Sequence, residues 1–179
     1  ELNGRTLAAV AEDWSLPVPA TVRRILEDGN ASVMNRDLYD PENTRYLAQK
    51  SWMMTCTDGR TPSPETVVSH PRPYGALTKK LRDYVLDESL LEAEFAVRSM
   101  TGLAADFLGL PDRGYIREGM KADVAVLDPE TLRDRATYED SRRLSEGTVH
   151  VLVNGGFALR NRALTDGTQG RTVQRPASR

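Results

Sequence analysis

The sequence predicts an α/β protein: helices alternating with buried strands up to residue 113, then a small β module. Three observations carry this. Apolar residues recur at helical spacing on either side of two short, continuous apolar runs, 31–35 and 51–56, the pattern of parallel units whose strands are covered on both faces. After Gly114 the pattern changes to alternating, β-branched stretches, which read as strands. Asn154-Gly155 then falls between two such stretches, a strong short-range hairpin signal.

Taken in order, "RTLAAVAEDW" (5–14) reads as a helix. It follows a first residue, Glu1, that is not an initiator methionine, so a segment of a longer polypeptide, or one half of a cleaved one, is expected. Val18, Val22, Ile25 and Leu26 fall at i, i+4, i+7 and i+8, one helical stripe. Pro17 or Pro19 sits near its start, where a missing N–H costs little, and Gly29-Asn30 closes it. "ASVMN" (31–35) is expected as a short strand, "PENTRYLAQK" (41–50) as a short helix, and "SWMMTC" (51–56) as a second strand. Asp58 then stands at the carboxyl end of that strand, where parallel sheets place their chemistry.

From Tyr74 the pattern is helical again, with Leu77, Leu81, Tyr84 and Val85 on one stripe. Ser89-Leu90-Leu91-Glu92 matches a capping box and predicts a helix start there. Thr101 is expected to cap a further short helix that Gly109 and Pro111 end. "ADVAVLD" (122–128) and "VHVLVNGGFALRN" (149–161) supply the strands, 128–147 is a polar loop, and 168–179 reads as a tail.

The totals narrow the function classes. A chain of 179 residues can bury a real core, and 28% charged residues with a net charge of -2 announce neither a nucleic-acid footprint nor a polyacidic tail. A small-molecule or protein partner is expected, with no nucleic acid. The single cysteine, Cys56, excludes an internal disulfide and fits a reducing compartment. No apolar run of ~18 residues and no signal-like amino terminus are present, so the expectation is a soluble, cytoplasmic protein without a membrane partner.

Asp58 is the first candidate for chemistry. A carboxylate at a strand end can ligate a metal, or take a proton from water and hand it to a leaving amine; it can equally be the first residue of an Asp-Gly turn. The "SHPRPYG" stretch (69–75) follows as a loop. Its Arg72 can bind a carboxylate with a planar fork or pair with a surface acid, and Tyr74 can line or gate a pocket. His70 and His150 are the two imidazoles; with one thiol they cannot build a four-ligand structural zinc site. His150, within "VHVLV", reads as a satisfied sheet histidine. Cys56 has no visible base and is expected in the core. "TDGRTPSPE" lacks the Gly-Lys-Ser/Thr ending of a phosphate loop.

The order "WMMTCTDGR", "HPRPYG", "LLEAEFAVRSMTGLAADFLGLPDRGYIREGMKADVAVLDPETLRDRATYED", "VHVLVNGG" resembles the C-terminal portion of the N-acyl-D-amino-acid deacylases, the D-aminoacylase branch of the amidohydrolase superfamily. The resemblance covers nearly the whole chain, is strongest from Ser51 to Gly156, and is most specific in "RGYIREGMKADVAVLDPET". It implies a (β/α)8 TIM barrel with a small β-sandwich built from both chain ends. This chain would hold the last barrel units and the C-terminal helices (1–113), the sandwich strands (114–165) and a tail (166–179).

The resemblance also implies roles. Asp58 matches the catalytic acid that closes the eighth strand, a residue that orients or deprotonates zinc-bound water, then protonates the leaving nitrogen, and can also touch the metal. Arg72 matches the arginine that holds the carboxylate of the N-acyl-amino acid, with His70 and Tyr74 beside it in the substrate site. Thr57 stands where the family usually has serine, and the stretch between Asp58 and His70 is a few residues longer. The family's zinc ligands, a His-x-His early in the barrel with a Cys and further histidines on middle strands, have no counterparts here. Because such a barrel takes ~250 residues, the chain alone is expected to be inactive and to need the missing N-terminal part or a companion chain. The implied activity is zinc-dependent hydrolysis of the amide of an N-acyl-D-amino acid. A cyclic amide or a (thio)carbamate substrate remains an alternative, as does a non-catalytic assembly fragment of the same fold.

Overall fold

The computed structural model describes Leu2, residues 4–29, 39–60, Ser63 and residues 70–174. Two compact units divide it, Glu1–Thr44 and Arg45–Arg179.

The first unit is built on two helices, α1 (Leu7–Asp13) and α2 (Val18–Glu27). Thr6 caps α1, its hydroxyl accepting from the Ala9 N–H at 3.2 Å, which satisfies one of the amides that a first turn leaves open. Val10, Ala11 and Ile25 are buried, and so is Thr21, whose hydroxyl is spent on the Pro17 carbonyl at 3.2 Å. The Arg24 guanidinium covers the Trp14 ring at 4.4 Å. Gly29 takes the left-handed φ of 70° that ends α2. The strand expected at 31–35 lies outside the described residues.

Helix α3 (Pro41–Ala48) forms where expected, and the boundary between the units falls within it. The stretch 51–56 departs from expectation. Residues 51 and 52 make a turn and 53–60 adopt no regular secondary structure. A strand is stabilised by the ladder of its neighbours, and among the described residues no neighbour pairs with this one. Its backbone is tied instead by the Thr55 N–H donating to the Ser99 carbonyl at 2.9 Å.

Helix α4 (Arg72–Lys80) runs on into a π-helical segment, Leu81–Asp87. Leu81, Tyr84 and Val85 from the predicted stripe pack on Ala48, Leu91 and Ala96, which are buried. The Arg45 guanidinium grips both oxygens of Glu88 at 2.8 Å and pins α3 to the end of that segment. The capping box at Ser89 does not form: Ser89 has φ of 50°, and α5 (Ala93–Met100) starts later, with Glu92 at its N-cap position and no side-chain cap. Leu90 and Leu91 have turned their N–H groups back to the Tyr84 carbonyl, at 2.8 and 2.9 Å, and burial of Leu91 uses this stretch as a connector. Thr101 does precede α6 (Gly102–Leu108), but its hydroxyl donates back to the Val97 carbonyl at 2.8 Å. Gly109, at φ 67°, ends α6 as expected.

The β module is a four-stranded antiparallel sheet in the order β1-β2-β3-β4: Val124–Leu127, Thr148–Val153, Gly156–Arg160 and Ala163–Leu164. Asn154 and Gly155, at φ 49° and 85°, give the doubly left-handed turn whose twist suits a two-residue hairpin. The hairpin tip is held by the Asn154 N–H donating to Asp123 and by Arg113 donating to the Asn154 side-chain Oδ1, both at 2.7 Å. The polar stretch 128–147 folds back on itself through an Arg133–Glu146 bridge. Among the described residues no helix is long and apolar enough to cross a membrane.

Candidate active-site corner

The corner begins with prolines. Pro71 precedes α4 and Pro73 lies in its first turn, where a missing N–H is no loss. "HPRPYG" therefore starts a helix instead of making the expected loop, and it puts Arg72 at the first helical position. Gly59 passes so close that a Cβ there would sit 3.1 Å from the Pro73 Cα. Asp58, at φ 49°, occupies the left-handed region that aspartate tolerates better than most residues.

That approach brings Asp58 and Arg72 together, with Oδ2 and Nη1 2.9 Å apart. The Asp58 side chain is 84% exposed and that of Arg72 41%, so the pair is worth little as a stabilising bond. A competing carboxylate can take the place of Asp58 beside the guanidinium. The pairing of Arg72 with an acid thus forms, whereas Asp58-Gly59 makes no turn. The Asp58 N–H donates to the Cys56 sulfur at 3.3 Å and the Gly59 N–H to the Thr57 hydroxyl at 3.2 Å. Cys56 is exposed, not in the core as expected, because its chain segment joins no sheet and its sulfur turns to the Asp58 amide.

His70 faces the same helix start. Its Nδ1 accepts from the Arg72 N–H at 3.1 Å, and its Nε2 lies 3.2 Å from the Tyr138 hydroxyl. An amide N–H can only donate, so Nδ1 carries the lone pair and Nε2 the proton. The rings of His70 and Tyr138 meet edge to face at 4.9 Å. Burial, helped by the Arg72 cation and opposed by Asp58, holds the His70 pKa below the ordinary histidine value. Tyr74 stands in the first turn of α4, and its carbonyl accepts from the Ser145 hydroxyl at 2.9 Å. Gly75 is buried close against Asp134 and Ala136.

Tyr138, Ser145 and Asp134 all come from the stretch read as a polar loop. No local motif around them points to the corner. His150 is committed elsewhere, accepting from the Asn161 N–H at 3.1 Å and meeting the Phe157 ring edge. A cleft of about 790 Å³ lies between α4, α5, α6 and β1, with Leu77, Leu81, Val97, Leu108 and Val124 on its walls. None of Asp58, His70, Arg72 or Tyr74 lines it.

A metal does not fit the described residues alone. No three of their His, Cys, Asp and Glu side chains gather where they could hold an ion, and Asp58 already faces a guanidinium.

The Amidohydrolase family model matches residues 37–158. N-acyl-D-glutamate deacylase of Alcaligenes xylosoxydans xylosoxydans is 36% identical over 178 residues, 99% of this chain and 35% of its own length. The chain thus spans about a third of that relative. Among solved structures, N-acyl-D-glutamate deacylase from Bordetella bronchiseptica, complexed with zinc and a phosphonate inhibitor that mimics the tetrahedral intermediate, superposes with a TM-score of 0.72. That match is at 29% identity and covers 89% of this chain and 34% of the other. A D-aminoacylase variant in complex with CuCl2 gives a TM-score of 0.57 and 38% identity over 59% of this chain and 22% of its own. With a helix-rich body, a β hairpin module and an Asp58–Arg72 corner inside the matched region, this chain belongs to the amidohydrolase family.

Proposed function

We propose that the chain works as the C-terminal part of a metal-dependent deacylase, longer or in two pieces, that hydrolyses the amide bond of N-acyl-D-amino acids. The carrying observation is the Asp58–Arg72 pair at 2.9 Å: one group that moves a proton beside one that binds a carboxylate. Residues 1–113 are assigned to the last units of a (β/α)8 barrel and its helices, 114–165 to strands of a β-sandwich, and 166–179 to a tail. Exposed Trp52, Phe107, Ile116 and Leu164 support completion by further protein, since apolar surface of this kind is normally covered. Zinc, held by the Bordetella neighbour, is proposed as the metal, with its site completed by residues outside this chain.

In this reading the substrate carboxylate takes the Arg72 guanidinium, with His70 and Tyr74 at the same helix start, and Asp58 is released. Asp58 accepts a proton from the water that attacks the acyl carbon. As the C–N bond breaks, it passes that proton to the leaving nitrogen, giving a free carboxylic acid and an amino acid. The phosphonate bound in the Bordetella neighbour mimics an intermediate of such an attack.

The test uses the complete, metal-loaded enzyme. Asp58→Asn keeps the shape and removes the proton carrier, so turnover of N-acetyl-D-glutamate or another N-acyl-D-amino acid should fall about 10³-fold. Arg72→Gln should act chiefly on KM, and only for substrates with a free carboxylate. Turnover near the parental rate in Asp58→Asn would overturn the assignment.

A further inference from the structure

Three contacts tie the 128–147 stretch to the start of α4. Tyr138 meets His70, with its hydroxyl 3.2 Å from Nε2 and its ring edge-on at 4.9 Å. The Ser145 hydroxyl binds the Tyr74 carbonyl at 2.9 Å. Buried Gly75 lets Asp134 and Ala136 approach within van der Waals contact. Pro71, at the position before the helix, offers no side-chain cap, and His70 fills that role by accepting the Arg72 N–H at 3.1 Å. A histidine can do so only while Nδ1 is bare, so the Arg72 N–H fixes the proton on Nε2, which then donates to the Tyr138 hydroxyl.

We propose that Tyr138 is a positioning residue for carboxylate recognition: its hydroxyl, accepting from Nε2–H, holds the His70 ring where Nδ1 caps α4, and so sets where Arg72 presents its guanidinium. The inference rests on the deacylase reading above for what Arg72 binds. The tautomer and the cap stand on geometry alone. The contacts that join Tyr138 to this corner run to the imidazole of His70, and it acts through that ring. The neutral ring is the one the site favours, since burial and the Arg72 cation both oppose its protonation while Asp58 alone favours it.

The test is a coupling experiment in the complete enzyme. Tyr138→Phe keeps the ring edge and removes the hydroxyl. It should raise KM for an N-acetyl-D-amino acid about fivefold with kcat within about twofold, and leave KM unchanged for the same substrate with its carboxylate amidated. His70→Asn supplies an amide oxygen that can accept the Arg72 N–H without any tautomer. In that background Tyr138→Phe should change KM by less than about 1.5-fold.

Imidazole nitrogen NMR of the same protein, assigned with His70→Asn, should find Nε2 protonated in the parent, with its N–H signal shifted or lost to solvent exchange in Tyr138→Phe. Additive effects on KM, an equal effect on the amidated substrate, or a protonated Nδ1 in the parent would each overturn the proposal. A parent enzyme inactive on every N-acyl-D-amino acid would instead remove the deacylase reading, and the imidazole spectrum would still decide the tautomer.

Discussion

The ammonium of Lys80 lies 2.8 Å from the hydroxyl of Ser99. It also donates to the Thr55 hydroxyl at 2.6 Å, so one cation joins α4, α5 and the segment that leads, three residues later, to Asp58. Burial holds the Lys80 pKa below the ordinary lysine value. The cation is partly desolvated and held by neutral oxygens, and this makes its two kinds of substitution unequal.

Removing the charge together with its need for acceptors is mild, whereas removing an acceptor from a charge that stays is costly. Lys80→Met should therefore change stability by less than about 1 kcal/mol, and Ser99→Ala should cost about 1–2 kcal/mol. Urea unfolding of both variants checks the order, and a Lys80→Met loss larger than that of Ser99→Ala would contradict it.

His70 gives stability a pH dependence of known sign. Its folded pKa lies below the ordinary 6.5, so between those two values the unfolded chain binds more protons than the folded one. Stability rises with pH across that window. It falls as the medium is acidified through 6.5 and levels off once the folded imidazole is also protonated. His70→Asn should flatten this segment of the profile, measured by unfolding between about pH 5 and 7.5. An unchanged slope would place its origin elsewhere.

How much of this was legible in the sequence depends on how far apart the cooperating residues lie. The α2 stripe, the Asn154-Gly155 turn and the Gly109 stop are local signals, and each formed as read. The Ser89–Glu92 box was also local but lost to Tyr84, whose carbonyl takes the N–H groups of Leu90 and Leu91 through a π-type turn that no short motif announces. The 51–56 strand needed partners from another part of a sheet, and Cys56 followed it out of the core. Asp58, His70, Arg72 and Tyr74 could be named together because they sit close in sequence. Tyr138, 68 residues from His70, could be found only once the chain was folded.

Gly147 tests how that distant buttress is held. Its φ is 84°, and a Cβ there would lie 2.3 Å from the Cα of Leu132, a buried residue, and 2.5 Å from its nitrogen. Backbone on both sides of the clash cannot yield, because the Gly147 carbonyl accepts from Asp128 at 2.8 Å and Glu146 is bridged to Arg133. Gly155 has nearly the same φ, 85°, with nothing within 4 Å of an added Cβ. Gly155→Ala should accordingly cost only the backbone conformation, about 1 kcal/mol, whereas Gly147→Ala adds the overlap and should cost about 3 kcal/mol or more. Because the 128–147 stretch carries Tyr138 and Ser145 to the start of α4, Gly147→Ala should also raise KM for carboxylate substrates while Gly155→Ala leaves it unchanged. Equal losses of stability in thermal unfolding of the two variants would mean that conformation, not the contact with Leu132, governs position 147.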